Sequence, residues 1–457
     1  MGEQEIIAEL VQKSKTAQKE FEKFGQKQVD RIVRMVGKLV FDNAEELARM
    51  AVDETRMGNY EDKVAKNKGK ARIIWNNLRD KKSVGIIGYD EKEKLYLVAK
   101  PKGVIGLVTP CTNPIVTPMC NTMFSLKGRN AVIIAPHPRA KTCGAYTVGL
   151  INREIAKIGA PKNLIQIIRE PSIELTGELM KQVDVVVATG GMGMVKAAYS
   201  SGHPAFGVGQ GNVQSIIDAG TDIDDAAKKI IAGRAFDNGI ICSGEQSVIA
   251  PESLYDKTIE AFRANGAFYI DDQSVIDKFR SVLFTEKGTV NRDGVGKSVQ
   301  EVAGMAGVEV PEGTKIILLK AKGTGEEDIL CKEKMCPVMI AYFYNNFDEA
   351  LKIAQTNLNL EGRGHSVSIH SNTREHIERA GEYLTVSRLV VNQICSTSAG
   401  GSFKNGFAPS TTLGCGSWGN NSISENLDYH HLINISRIGL YNEEAVTPDD
   451  GEIWAEL

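Results

Sequence analysis

The chain has 457 residues, 42% of them hydrophobic and 24% charged, with a formal net charge of −3. That length suffices for two or three packed domains, and that charge gives no overall basic field of the kind that draws nucleic acid or an acidic membrane surface. No apolar run reaches the length of about eighteen residues that argues for a membrane span, so small molecules are the expected partners.

The first residues, Met1–Lys15, read as an amphipathic helix without the basic and apolar regions of a signal peptide, and Ile6 stands where a myristoylation motif wants Ser or Thr. A cytoplasmic protein is expected. Apolar positions at i, i+3 and i+4 through Val29–Val40, and again from Ala44, predict helices across this opening region. Lys82–Pro101 then alternates as a hairpin around the charged turn Asp90–Lys94. From Gly103 short apolar runs alternate with helical stretches: Val104–Val108, Ala131–Ala135, Leu164–Ile168 and Asp184–Ala188. Such runs predict a parallel sheet buried on both faces.

A second α/β series begins near Asn238, with predicted strands at Ser247–Ala250, Lys315–Lys320, Val338–Phe343, Ser366–His370 and Leu389–Asn392. Ile394–Asn421, rich in Gly, Ser, Thr and Asn, predicts a long functional loop, and Tyr429–Tyr441 a last element that docks back. The fold class is therefore α/β with a cleft near residue 235. The predicted domains are 1–235, which includes the hairpin 82–100, then 236–425, then a C-terminal segment 426–457.

Eight cysteines are scattered through the chain, none in a C-x-x-C pair. Cys331 and Cys336 come closest to a metal-ligand spacing but lack a partner pair, so no metal is expected. Cys242 is different. It lies in Phe236-Asp-Asn-Gly-Ile-Ile-Cys-Ser-Gly-Glu-Gln246, a glycine-flanked turn at the predicted domain junction. A thiol there is open to substrate, and nearby backbone amides favour its thiolate. On composition alone a buried structural cysteine is the commoner case. Val187-Ala-Thr-Gly-Gly191, between a strand and a helix, could bind phosphate through free amides, although its spacing is not G-x-G-x-x-G.

Five segments in the same order resemble the aldehyde dehydrogenase superfamily, and its CoA-acylating branch above all. They are the Cys242 segment, Thr109-Pro-Cys-Thr-Asn-Pro114, Ala135-Pro-His-Pro138, Ala188-Thr-Gly-Gly191 and Glu333-Lys-Met-Cys-Pro337. The resemblance implies a Rossmann-type cofactor domain, an α/β catalytic domain and a small oligomerisation hairpin. It implies Cys242 as nucleophile and Asn113, with the Cys242 N–H, as donors to the oxyanion. Thr109, Pro110, His137, Pro138, Arg139, Thr189, Gly190, Gly191 and Glu333 would hold a nicotinamide cofactor. Arg139 and Lys141 follow the strand Ala131–Ala135, and no acidic residue occupies that loop. That favours NADP, with NAD the alternative.

Members that hydrolyse their acyl-enzyme carry a glutamate in the segment resembling Phe206-Gly-Val-Gly-Gln-Gly-Asn212, which here has no carboxylate. The thioester on Cys242 would then await coenzyme A, with Gly207, Gly209 and Gly211 letting a pantetheine arm pass close to the backbone. His365, in Glu361-Gly-Arg-Gly-His365, matches a histidine that lies near the nucleophile in acylating members, and is expected to act as a base. Within this branch, Cys242–Val248, Lys334–Pro337, Ser398–Phe403 and Leu413–Glu425 resemble most the succinyl-CoA-reducing succinate-semialdehyde dehydrogenases of anaerobic bacteria. An anionic acyl tail would meet Ser243, Ser398, Ser402 and Arg363, with Lys404 a further candidate. Sulfoacetaldehyde, sulfolactaldehyde and acetaldehyde are rival substrates, and a hydrolytic aldehyde dehydrogenase is a further rival. The hairpin and the tail resemble the family's assembly elements, so a homodimer or homotetramer is expected. No long extension precedes the first helix, so the encapsulation peptide of microcompartment relatives is expected to be absent.

Overall fold

The helical periodicity of the opening region becomes four helices in the computed structural model, which describes residues 2–456. They are α1 (Glu3–Phe21), α2 (Gln26–Asp42), α3 (Ala44–Thr55) and α4 (Tyr60–Leu78). Val29, Ile32, Val33, Val36 and Val40 form one fully buried stripe on α2, as their spacing requires. α4 starts at Asn59, whose side chain accepts the Asp62 N–H at 2.9 Å in place of a missing helical partner.

The hairpin is β1 (Gly85–Asp90) and β2 (Leu95–Pro101), paired antiparallel with an irregularity between Ile86 and Gly88. Next come β3 (Val104–Thr109), α5 (Val116–Lys127), β4 (Ala131–Pro136), α6 (Lys141–Ala156) and β5 (Ile165–Ile167). They are followed by α7 (Ile173–Gln182), β6 (Val185–Thr189), α8 (Met192–Tyr199) and β7 (Ala205–Val208). These strands make one five-stranded parallel sheet in the order β5-β4-β3-β6-β7. Every residue of β3 and β4 is buried, because helices cover both faces. The order reverses between β3 and β6, and the crevice beyond their carboxyl ends is where open α/β sheets bind ligands.

The second series opens with β8 (Val213–Ile217), α9 (Ile223–Ala235), β9 (Glu245–Pro251), α10 (Tyr255–Ala264) and β10 (Ala267–Ile270). It continues with α11 (Gln273–Leu283), α12 (Val299–Met305), β11 (Ile316–Lys320), β12 (Val338–Tyr344) and α13 (Phe347–Leu360). It ends with β13 (Gly364–His370), α14 (Arg374–Tyr383), β14 (Val386–Val391) and the short α15 (Cys395–Ser398). Its seven strands are parallel, in the order β10-β11-β12-β9-β8-β13-β14.

The domain boundary expected at residue 235 falls earlier. β8 pairs with both β9 and β13, so the chain leaves the first sheet between Val208 and Val213. The last strand, β15 (Ile433–Gly439), docks antiparallel on β2 and completes a three-stranded sheet; a short α16 (Asp450–Ile453) follows. No helix among the described residues is long and apolar enough to cross a membrane.

Candidate active site

In a parallel sheet all strands begin at one edge. The residues just ahead of the neighbours β12, β9, β8 and β13 are therefore brought together: Glu333–Pro337, Cys242, Gly211 and the turn leading to His365. A Cβ built on Gly211 would lie 1.9 Å from the Cys242 carbonyl oxygen and 3.3 Å from His365 Cγ. Three segments that are far apart in sequence meet at that point.

Cys242 is half-buried, and burial followed by the nearby Glu333 charge pushes its thiol up to about 12. At rest the sulfur holds its proton. Glu333 is itself 2% exposed, and burial with Glu361 beside it pushes its carboxyl up to about 8. The backbone N–H of Glu333 donates to Glu361 Oε2 at 2.6 Å, fixing the turn that presents it.

His365 is fully buried, and burial with the Arg388 guanidinium pushes it down to about 3. This corrects the expectation of a histidine titrating near working pH: the imidazole stays neutral. Its Nδ1 meets Ser366 Oγ at 3.1 Å, while Nε2 is buried without a partner. Arg388 completes this wall, donating to the His365 carbonyl at 2.7 Å, Ser366 Oγ at 3.1 Å and Asn426 Oδ1 at 3.2 Å.

Asn113 lies in the turn after β3, at the carboxyl end of that strand. Its Oδ1 accepts from Lys66 Nζ at 2.7 Å. Lys66 also bonds Asp237 Oδ2, which accepts Lys63 Nζ at 3.1 Å. Burial works against the Asp237 carboxylate, yet Lys66 and Lys63 hold it below the usual range. Lys70, on the same face of α4, donates to the carbonyls of Gly400 at 2.9 Å and Ser410 at 3.1 Å, and so pins the loop after α15. Sequence reasoning missed Lys63, Lys66, Lys70, Asp237 and Arg388. The signal was the placement of lysines at i, i+3 and i+7 on α4, in line with the buried Ile74.

Of the residues expected to hold a cofactor, those of β3, β4, β6 and the turns after them belong to the first sheet, whereas Glu333 precedes β12 of the second. Thr109 ends β3, and Thr189 ends β6 with its hydroxyl 3.4 Å from that of Thr412. Gly191 caps α8 without any side chain on the first amides, and it is exposed, so those N–H groups are open to an anion. Pro110 and Gly190 are half-buried beside them. Beyond β4, His137 Nδ1 accepts the Arg139 N–H at 3.1 Å, and Pro138 and Arg139 are exposed. Lys141 is paired with Glu170, which arrives from the segment after β5. An acidic group thus reaches this corner in space although none lies in the loop itself.

The glycines of the 206–212 segment are packed to different degrees. A Cβ on Gly207 would lie 2.9 Å from Tyr199 and Val195, so this position and Gly211 are pressed against protein. Gly209 meets only the flexible end of Met192 and is the one left open to a passing arm. The residues expected to meet an anionic tail differ in exposure and in what they bond. Ser243 is buried and donates to the Ser396 carbonyl at 3.0 Å; Ser402 Oγ accepts the Lys404 N–H at 3.1 Å. Ser398 is buried at the end of α15, and Arg363 and Lys404 are exposed. No hydrogen bond among the described residues links Ser402 or Arg363 to Cys242.

The sequence pattern of the aldehyde dehydrogenase family matches residues 1–269. The chain belongs to the aldehyde dehydrogenase family. It is 59% identical over 454 residues to a succinate-semialdehyde dehydrogenase (acetylating) of Clostridium kluyveri, covering 99% of this chain and 100% of that one. Among solved structures, an acetylating aldehyde dehydrogenase from Geobacillus thermoglucosidasius superposes with a TM-score of 0.93 at 37% identity, over 98% of both chains. A propionaldehyde dehydrogenase of Rhodopseudomonas palustris, solved with bound CoA and an acylated cysteine, superposes with a TM-score of 0.86 at 28% identity, over 95% of this chain and 97% of that one.

Proposed function

We propose that this aldehyde dehydrogenase is CoA-acylating and interconverts succinyl-CoA with succinate semialdehyde, CoA and a nicotinamide cofactor. The observation that carries the reading is whole-length likeness, at 59% identity, to an enzyme of that name. The chemistry of the site fits it. Cys242 attacks the thioester carbonyl, its S–C bond forms as the CoA sulfur leaves, and the acyl group rests on Cys242. The thiol proton must be removed as the sulfur attacks. His365, which meets the Cys242 loop across Gly211, is neutral and so able to accept it, although burial pushes the imidazole down to about 3. Asn113 and the Cys242 N–H steady the oxyanion at each carbonyl addition. In the opposite direction the same thioester passes to CoA, because the 206–212 segment holds Gln210 and no carboxylate to activate water.

A bound nicotinamide supplies or accepts the hydride. Thr109, Pro110, Thr189, Gly190 and the open amides after Gly191 would hold its phosphates, and Glu333 its ribose. We infer a preference for NADP from the exposed Arg139, although the pairing of Lys141 with Glu170 removes one of the two expected cations. Assembly through the three-stranded sheet, as a dimer or tetramer, is supported by the exposed Ile86, Tyr89 and Ile438.

Steady-state reduction of succinyl-CoA, acetyl-CoA and sulfoacetyl-CoA, each with NADPH and NADH, tests the reading. Succinyl-CoA with NADPH is expected to give the highest kcat/KM, with one free CoA released per reduced cofactor consumed. Oxidation of succinate semialdehyde to the free acid at full rate without CoA would overturn it.

A further inference from the structure

An asparagine amide presents one oxygen and one nitrogen, and only the nitrogen can donate to an oxyanion. Which atom faces the reaction depends on what holds the other. At Asn113 that partner is an ammonium: Lys66 Nζ lies 2.7 Å from Oδ1. An ammonium accepts nothing, so the amide oxygen is the atom turned to it. The Asn113 NH2 is left with a single 3.5 Å contact, to Thr112 Oγ1, among the described residues.

Lys66 is held in turn by the loop that carries the nucleophile. It bonds Asp237, five residues before Cys242. Asp237 is fully buried and has left-handed backbone, with φ 51°. That conformation is unfavourable in a residue with a side chain, and persists only where its surroundings fix it. Here they do. Asp237 Oδ1 accepts the Asn59 N–H at 3.2 Å, Oδ2 accepts Lys63 at 3.1 Å, and the Asp237 N–H donates to Asp62 Oδ2 at 2.7 Å. Gly58, at φ 74°, allows the approach: a Cβ there would lie 1.9 Å from Asp237 Oδ1. One lysine thus joins the loop of the oxyanion donor to the loop of the thiol, from a helix that belongs to neither.

We propose that Lys66, anchored by Asp237, is a positioning residue that sets the orientation of the Asn113 amide and its register against the Cys242 loop. The proposal rests on Asn113 being an oxyanion donor. Because Lys66 acts through Asn113, its loss costs nothing further once the amide is gone.

A double-mutant cycle with Asn113→Ala, Lys66→Met and the pair, read as kcat and KM for succinyl-CoA, tests this. Asn113→Ala is expected to lower kcat by about 10²-fold, the usual cost of one oxyanion donor. Lys66→Met is expected to lower kcat by about tenfold with KM little changed, since a tilted donor weakens the transition state rather than the ground state. The pair should be no slower than Asn113→Ala alone. Losses that multiply in the pair would overturn the role of Lys66 and leave that of Asn113 standing. Full activity in Asn113→Ala would instead overturn the oxyanion reading itself. Asp237→Asn, which keeps the shape of the carboxylate, enters the same network from its other end. It is expected to show the same non-additivity with Asn113→Ala, and it serves where the methionine variant does not fold; additivity there overturns the proposal equally.

Discussion

Gly211 lies so close to Cys242 that a single added methyl group would stand 1.9 Å from the Cys242 carbonyl oxygen. On its other side the same methyl would stand 3.3 Å from His365 Cγ. Cys242 and His365 are thus held at one separation by a residue with no side chain, and the obstacle on one side is backbone, which cannot rotate away. Gly211→Ala is expected to cost about 1–3 kcal/mol of stability and to reduce CoA-dependent turnover by at least tenfold. Thermal melting and steady-state kinetics check it. Gly209→Ala, which meets only the flexible Met192, should be milder in both.

Glu333 and Cys242 are coupled by charge. Burial is the first cause of the raised thiol and Glu333 the second. Glu333→Gln removes the charge and leaves the shape, so the thiol becomes more acidic. The pH profile of Cys242 alkylation by iodoacetamide is expected to shift to lower pH in that variant. A profile that stays in place would mean that the carboxyl is uncharged, or turned elsewhere, when the thiol ionises.

Glu245, three residues after Cys242, is fully buried. Its Oε1 accepts the Cys395 N–H at 2.7 Å and its Oε2 has no partner. Burial raises the carboxyl from 4.5 to about 8. The folded state therefore holds this proton across that interval while the unfolded state has lost it. Stability contributed by the protonated acid is complete below 4.5 and is lost as pH rises through about 8. Glu245→Gln keeps the acceptor and removes the titration. Its Tm relative to the parent is expected to rise steadily over that window, and a constant difference would contradict the assignment.

Much of this architecture can be read from residue patterns, and the exceptions share a cause. The stripe Val29–Val40 announces α2, and the alternation across Lys82–Pro101 announces the hairpin, because both elements bury apolar side chains at their own period. β8 escaped because its buried residues include Gln214 and Ser215. Gln214 is satisfied by Ser247 at 2.7 Å and Asn357 at 2.9 Å, and Ser215 by Ser368 at 2.8 Å. Polar groups that pair across strands are as buried as valines, but a reading of apolar runs passes over them, and the domain boundary moved with the missed strand.

The site divides in the same way. Cys242, Asn113 and Glu333 stand in loops whose composition marks them. Lys63 and Lys66 sit on the buried face of α4, where a lysine ordinarily signals solvent, and the carboxylate of Asp237, with Asn113 Oδ1 for Lys66, makes the burial tolerable. That carboxylate lies more than 170 positions away in sequence. His365 was found, but its imidazole is lowered first by burial and then by the Arg388 charge, and no local pattern records either.

In the proposed cycle an acyl group waits on Cys242 for coenzyme A. Mixing the protein with succinyl-CoA in the absence of nicotinamide, quenching in acid and mapping tryptic peptides by mass spectrometry tests it most directly. One succinyl group is expected on the peptide containing Cys242, lost again when excess CoA is added before the quench. An unmodified Cys242, or an acyl group found on another of the eight cysteines and unchanged by CoA, would contradict the account.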